Sequence, residues 1–145
     1  MGSSARLTEL PGWAAGLLAG SRVAHLGLLA EHDSPRVLPV TYAVSGETLV
    51  TAVDHKPKRL AGERLARVRW LRARPQAALT VDQYDDDWSR LAWIQAVGSV
   101  SVLAAADAPE AIAALVDRYE PYRSEPPAGP VLVLEPERLL WWRAA

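Results

Sequence analysis

Cysteine is absent from the sequence. Its absence excludes disulfides, thiolate metal sites, cysteine nucleophiles and attachment of a cofactor through sulfur. No stretch approaches the roughly 18 unbroken apolar residues of a membrane-spanning helix, and the first residues lack the basic segment and apolar core of a secretory signal. We therefore expect a cytoplasmic protein with no membrane contact. The 145 residues predict one domain, spanning 1–145, with a core of its own.

Phenylalanine is also absent, and lysine is scarce. Six Trp residues take the bulky positions, and Lys56 and Lys58 are the only lysines among 16 basic residues. A GC-rich genome explains a preference for Arg over Lys, but it does not explain two lysines in one tripeptide. Residues 56–74 hold eight basic side chains and one acidic, a local charge of +7 that leaves −8 for the remainder. Such a cluster attracts anions.

The pattern along the chain predicts a mainly β, α+β domain. Alternation and turn signals predict strands at 22–29, 36–44, 47–53, 76–84, 91–103, 131–134 and 138–143, the last two being separate or one bent strand. Helical spacing predicts helices at 7–19, 61–73 and about 107–119, and 121–130 is expected to be a Pro-rich surface loop. Most strands follow one another directly. We therefore expect a small antiparallel barrel of six to seven strands with peripheral helices, because a parallel α/β sheet needs a helix between most strands.

Local signals refine this outline. Ser45-Gly46 predicts a two-residue hairpin turn. Pro39 lies inside a predicted strand and cannot donate to a ladder, so that strand is expected at an edge or bulge of the sheet. Gly98 predicts a bulge in a long strand. Asp107 and Glu110 have the spacing of a capping box at a helix start.

Residues suited to catalysis or metal binding form no local site that the sequence reveals. His25 alternates with apolar neighbours, as packed or interfacial residues do, and His32 lies in an acidic turn that favours a solvated position. The histidine spacing and the acidic run 85–87 match no zinc or calcium motif, so we expect no metal. Neither Gly-x-Ser-x-Gly nor a Gly-rich phosphate loop is present, which removes the motifs of hydrolases and nucleotide triphosphatases.

The segment 55–59, His-Lys-Pro-Lys-Arg, is the most informative one. Pro57 biases Lys56 toward an extended conformation, in which residues i and i+2 point the same way, so Lys56 and Lys58 can converge on one anion. The amides at the start of the following helix would add positive potential for the same phosphate. A solvated basic loop is the alternative. A nucleic-acid surface is disfavoured because the pI is 6.3, well below the value of about 9 typical of such domains.

Six segments occur in an order that is typical of one protein superfamily. They are Arg-Val-Ala-His-Leu at 22–26, Pro-Val-Thr-Tyr at 39–42, Thr-Ala-Val-Asp-His-Lys-Pro-Lys at 51–58, Arg-Pro-Gln-Ala-Ala-Leu at 74–79, Tyr-Asp-Asp-Asp-Trp-Ser-Arg-Leu at 84–91 and Val-Gly at 97–98. Together they resemble the pyridoxamine 5′-phosphate oxidase-like split β-barrel superfamily, of the FMN-binding split-barrel type. The branch of deazaflavin (coenzyme F420)-dependent oxidoreductases is the more similar one. The resemblance covers about residues 22–103.

This resemblance implies a homodimer with a cofactor groove between the protomers. The ring would rest against the second and third strands, beside Pro39, Val40, Thr41, Thr51 and Val53. Lys56 and Lys58 match the positions that hold the cofactor phosphate, and Arg59 with the helix arginines would be available to an acidic glutamyl tail. Trp88 would lie near the ring, contributed by the same chain or by its partner. Tyr42, His25 and His55 could each donate a proton, and none is favoured.

The sequence also departs from the flavin mononucleotide (FMN) oxidases of this superfamily. Their Arg-x-Val-Leu-Leu-Lys stretch lacks its lysine here, since Arg36-x-Leu38 is followed by Pro39-Val40-Thr41. We therefore expect an F420-dependent oxidoreductase that transfers a hydride between the deazaflavin and a small unsaturated or aromatic substrate. An FMN-binding flavoprotein of the same fold and a non-catalytic module that binds or stores a cofactor are the alternatives.

Overall fold

Alternating apolar residues and frequent turns give a chain made mostly of strands. The computed structural model describes residues 1–53 and 61–144, with the backbone alone at 61–65. Its strands are β1 (Gly2–Ser4), β2 (Ala24–Leu29), β3 (Pro35–Val40), β4 (Ala43–Ser45), β5 (Thr48–Ala52), β6 (Gln76–Gln83), β7 (Ala92–Leu103) and β8 (Val131–Arg143). Its α-helices are α1 (Gly12–Gly20), α2 (Ala61–Ala73), α3 (Pro109–Arg118) and α4 (Glu120–Ser124).

The strands form one antiparallel sheet that curls without closing. Seven of them follow the order β3-β2-β6-β7-β8-β5-β4, and β1 pairs with β8. The two end strands of this order, β3 and β4, are separated in the chain only by Thr41 and Tyr42. A sheet whose edge strands are joined so closely must curl, and the result is a split barrel. This confirms the predicted fold. We call residues 39–43, together with 51–53 at the end of β5, the seam.

The core has two parts, one inside the barrel and one outside it. In β2 the side chains of Ala24, Leu26 and Leu28 are buried in the barrel, while that of His25 is exposed on the outer face. α1 and α2 also contribute side chains to this main cluster. The second cluster forms where α3 and α4 cover β4 and β5. β5 is therefore buried on both faces, and the end of the strand that bears the seam is rigidly held.

Two local predictions on the sheet are confirmed. Pro39 lies in β3, an end strand of the sheet order, where its missing N–H costs no ladder bond to an outer neighbour. The register between β7 and β8 shifts at Gly98, since Val97 faces Arg138 and Gly98 faces Pro136. A Cβ at Gly98 would collide with the Glu135 carbonyl oxygen, which explains why this position has no side chain.

Several element boundaries differ from those expected. The predicted helix at 7–19 is a 3-10 turn (Leu7–Glu9) followed by α1, because Pro11 occupies the N-cap of the second helix. The predicted strand at 36–44 is divided into β3 and β4 by the seam, so that with β1 the sheet has eight strands. The chain end is one strand, β8, which absorbs Pro136 opposite the bulge. The predicted loop at 121–130 begins within α4.

Two turn predictions also need correction. The β4–β5 hairpin closes with Ser45 paired to Thr48, so its two loop residues are Gly46 and Glu47, with Gly46 at a φ of 59°. The Asp107 capping box is wrong: Ala108 occupies the N-cap of α3 and no side chain caps it. Pro follows at position 109, and its fixed φ already starts the helix without a side-chain cap.

Candidate functional site

The seam brings together most of the described residues that the sequence analysis assigned to a cofactor ring. Val40 ends β3, Thr41 follows it, and Thr51 and Val53 lie at the end of β5. β4 and β5 pair with Ala43 opposite Val50, and the same register continued by one residue places Tyr42 opposite Thr51. Residues 54–60 lie outside the described part of the chain, so the assignments of Lys56, Lys58 and Arg59 remain predictions.

These residues differ in how much surface they offer to a ligand. The side chains of Val40 and Thr51 are buried in the protein interior, so a ligand can reach their backbone groups at most. Thr41 and Val53 are half-buried. Pro39 is exposed, but it points to the outer face of the sheet, as strand alternation from Val40 requires. One planar ring cannot therefore contact all five side chains of a single chain, and the accessible ones are those of Pro39, Thr41 and Val53.

A tyrosine from the helical layer fastens the seam. The hydroxyl oxygen of Tyr119 accepts a hydrogen bond from the backbone N–H of Tyr42 at 3.0 Å. Its own proton can go to the carbonyl oxygen of Arg22, at 2.8 Å, or to that of Tyr42, at 3.0 Å. Next to it, the hydroxyls of Tyr122 and Thr41 are hydrogen bonded to each other at 2.8 Å. α3 and α4 thus hold both the backbone and the Thr41 side chain at the place where β3 becomes β4.

Tyr42 is a structural residue rather than a candidate proton donor. Its side chain is fully buried, and its hydroxyl donates to the carbonyl oxygen of Leu18 in α1. Burial raises the pKa of Tyr42 to about 12, although the guanidinium of Arg118, 4.8 Å from the ring centroid, partly offsets the rise. The phenol therefore stays protonated at neutral pH. His25 lies exposed on the outer face, and His55 is outside the described residues.

Trp88 lies far from the β5 part of the seam within one chain. It belongs to a 3-10 turn, Trp88–Arg90, in the β6–β7 connection, and its side chain is 70% exposed. The connection begins after Gln83, which pairs with Ala92 at the start of β7. Thr51 pairs with Leu132 of β8, and Leu132 pairs with Val102 near the end of β7. Residues 92 and 102 are ten positions apart in β7, about 30 Å along the strand. Within one chain, Trp88 therefore lies at the opposite end of β7 from the strand pairs that contain Thr51.

The acidic run before Trp88 is a hydrogen-bonded turn. A side-chain oxygen of Asp87 accepts from the Ser89 backbone N–H at 3.1 Å and from its hydroxyl at 2.7 Å, which lowers the pKa of Asp87. Asp85 accepts from the backbone N–H of Asp87 at 2.8 Å. Among the described residues, no group of three His, Cys, Asp or Glu side chains could hold a metal ion.

The arginines on and just after α2 differ in whether they are exposed or form an ion pair. Arg69 and Arg72 on α2 are exposed, and Val68 and Leu71 are buried against the barrel. Arg74, just after the helix, forms an ion pair with Asp33. Arg69 and Arg72 are thus the described basic side chains of this helix that are exposed to solvent.

A cavity of about 1000 Å³ lies at another place, between α1 and the end of the β6–β7 hairpin. None of the described residues that the sequence analysis assigned to a cofactor lines it. Trp13, Gly16 and Leu17 of α1 form one wall, and Tyr84, Arg90 and Arg143 are among the residues opposite. The sequence alone does not reveal this site, because its walls are about 70 and 130 residues apart in the chain. Gly16 and Gly20, one helical turn apart on α1, are its one sequence signal, that of an open helix face.

None of the described helices is long and apolar enough to cross a membrane.

Several solved structures are similar to this chain in fold. A haem-binding protein from Mycobacterium smegmatis is 21% identical with a TM-score of 0.70, and the match covers 89% of this chain but 52% of that one, so this chain spans about half its length. An F420 reductase is 22% identical over 90% of this chain and 98% of that chain, with a TM-score of 0.66. A FAD-binding protein from Mesorhizobium loti is 18% identical over 97% of both chains, with a TM-score of 0.61. At these identities the likeness establishes the fold alone.

Comparison with protein families and curated proteins completes the assignment. No curated protein matches the chain. The family described as pyridoxamine 5′-phosphate oxidase matches residues 14–139, nearly the whole chain, and this span includes every strand of the barrel except β1 and the last residues of β8. Together with the split barrel and its seam, this match shows that the chain belongs to the pyridoxamine 5′-phosphate oxidase family.

Proposed function

We propose that the protein is an F420-dependent oxidoreductase that transfers a hydride between the deazaflavin and a small unsaturated or aromatic substrate. The observation that carries the proposal is the position of the accessible seam relative to the two lysines. β5 ends at the seam with Ala52, and Lys56 follows four residues later in the sequence. The seam, which offers apolar surface and a hydroxyl group, is therefore followed closely in the chain by a pair of ammonium groups. A cofactor that carries a ring and a phosphate needs both.

The chemistry of the seam fits a flavin-like ring. The half-buried Thr41 hydroxyl, held by Tyr122, can hydrogen bond a polar ring edge, and Pro39 and Val53 offer apolar surface. The buried Val40 and Thr51 would contribute through their backbone groups. When bound, the deazaflavin supplies a hydride donor or acceptor that reacts poorly with oxygen, because carbon replaces the reactive ring nitrogen.

The protein's own contribution is binding and orientation. Lys56 and Lys58 would hold the cofactor phosphate, and Arg59 with the exposed Arg69 and Arg72 would be available to an acidic tail. Thr41 would fix the ring edge, since its hydroxyl has one hydrogen-bond partner in Tyr122 and keeps further bonding capacity. No proton donor is assigned.

A homodimer with the cofactor groove at its interface is part of the proposal. The outer face of the sheet supports it. Register places Val37, Gly27, Ala78 and Val97 in one row across four strands, and the two valines of this row are 67% and 36% exposed. Exposed apolar residues that adjoin on one face are typical of a protein interface. In such a dimer the ring would lie near Trp88 of the same chain or of its partner, as the resemblance implies.

A non-catalytic module that binds or stores a cofactor is the second candidate, and His25 favours it. Its side chain is exposed on β2 directly opposite Pro39, at the edge of the seam. A neutral imidazole is an axial ligand of haem iron, and one structurally similar protein binds haem. A haem-binding function requires that added hemin gives a ligated absorption band that His25→Ala abolishes.

Turnover tests the leading proposal. The protein would be mixed with chemically reduced F420 and a panel of enones and nitroaromatic compounds, and the return of the oxidised cofactor's visible absorbance recorded. We expect turnover with at least one substrate that is lost in the variant Lys56→Glu with Lys58→Glu. Cofactor binding without turnover of any compound would assign the binding-module function instead.

A further inference from the structure

The cavity between α1 and the β6–β7 hairpin is large enough for a small ligand. At about 1000 Å³ it reaches the upper end of the range of small-molecule pockets, about 300–1000 Å³. Its position is fixed by the fold, because α1 packs on β6 and β7 and Leu18 of the same helix is buried in the core. The cavity therefore lies between a packed helix and the β6–β7 connection, which contributes Tyr84, Ser89, Arg90 and Leu91.

The wall formed by α1 is apolar and left open. The helix, Gly-Trp-Ala-Ala-Gly-Leu-Leu-Ala-Gly, has no charged side chain. Gly16 and Gly20 line the cavity, and a Cβ at either would meet no atom within 4 Å. Glycine inside a helix lowers stability by about 1 kcal/mol relative to alanine. Among the described residues, none packs so closely against position 16 that it excludes a side chain there. Between the glycines, Trp13 and Leu17 present apolar surface.

The opposite side carries two arginines, and one of them is already neutralised by ion pairs within the described residues. Nitrogens of Arg90 lie 3.7 Å and 3.8 Å from oxygens of Asp85 and Asp87, so two carboxylates neutralise this guanidinium. The Arg143 guanidinium lies 5.0 Å from the centroid of the Trp13 ring, a contact that holds the group while leaving its N–H donors available. Asp82 is the one acidic residue among the described lining residues. Arg143 is therefore the cation that a ligand in the cavity can pair with.

We propose that this cavity is a binding site for a planar aromatic monocarboxylate. The ring would lie against Trp13, Leu17 and the glycine face of α1, and the carboxylate would accept hydrogen bonds from Arg143. An apolar slot with one guanidinium at its end selects a monoanion with a flat apolar body over a neutral aromatic, and the nearby aspartates disfavour a polyanion. The proposal does not depend on the cofactor proposed above, because no described residue assigned to the cofactor lines the cavity.

Isothermal calorimetry with 2-naphthoate tests the site, with 2-naphthylmethanol as its neutral analogue. We expect saturable 1:1 binding per chain of 2-naphthoate and at least about tenfold weaker binding of the alcohol. Arg143→Gln should weaken 2-naphthoate about tenfold and leave the alcohol unchanged. Absence of saturable binding, or equal affinity for both compounds, would overturn the proposal.

A matched pair of glycine variants locates the binding. Gly16→Leu fills the cavity, whereas Gly12→Leu places the same side chain on the same helix at a position that also has open space but does not line the cavity. We expect Gly16→Leu to abolish 2-naphthoate binding and Gly12→Leu to retain it, with both proteins folded by circular dichroism. Retained binding in Gly16→Leu would overturn the assignment. If Gly16→Leu does not fold, the Arg143→Gln result decides alone.

Discussion

Removing the hydroxyl of Tyr119 tests the account of the seam. In Tyr119→Phe the backbone N–H of Tyr42 loses its acceptor at a position that is fully buried, and the carbonyl oxygens of Arg22 and Tyr42 lose a shared donor. An unsatisfied buried N–H costs about 1–3 kcal/mol, and the lost hydrogen bond adds about 1 kcal/mol. We therefore expect the free energy of unfolding to fall by about 2–4 kcal/mol.

The measurement is thermal unfolding followed by circular dichroism. For a chain of this length about 1 kcal/mol shifts Tm by roughly 3 °C, so Tyr119→Phe should lower Tm by about 6–12 °C. Tyr84→Phe is the matched control, because the Tyr84 side chain is 70% exposed, and its Tm should stay within about 2 °C of the wild type. A drop in Tyr119→Phe as small as that of the control would refute the role of the hydroxyl in fastening the seam.

Three other variants test separate parts of the structure. Gly98→Ala forces a Cβ onto the Glu135 carbonyl oxygen and should lower the free energy of unfolding in urea by about 2 kcal/mol, whereas an unchanged midpoint would contradict the bulge geometry. The pKa of Tyr42 is about 12 in the folded protein against about 10 when unfolded, so the stability that this shift contributes is complete below pH 10 and mostly lost by pH 12. Tyr42→Phe should therefore lose about 2 kcal/mol less than the wild type between pH 9 and pH 12, and equal losses would contradict the burial of the phenol. Lys56→Glu with Lys58→Glu should abolish cofactor binding and leave Tm nearly unchanged, and surviving affinity would place the phosphate elsewhere.

The barrel could be predicted from the sequence because its determinants are local. Alternation and short connections gave the strand set, Pro39 indicated an edge strand, and Gly98 indicated the bulge. The boundary of the first helix and the cap of the third were predicted wrongly because a proline at each place set the local structure. Pro11 divided the first helix, and a proline after Ala108 made the Asp107 cap unnecessary.

The site could be predicted only in part, since its contacts are not local. Tyr119 meets Tyr42 across 77 positions, and no pattern around either residue indicates the other. Strand alternation does indicate that the side chains of Pro39 and Val40 face opposite ways. One ring that contacts both residues must therefore touch one of them through its backbone, or each residue must belong to a different surface. The cavity wall at Gly16 escaped notice for the same reason as Tyr119, because the facing Arg143 is remote in sequence.

The identity of the cofactor is the central claim, and parallel titration tests it most directly. The purified protein would be titrated with F420, FMN and hemin, and the quenching of its tryptophan fluorescence followed. We expect saturable binding with clear preference for F420. Preference for FMN or hemin, or binding of none of the three, would contradict it.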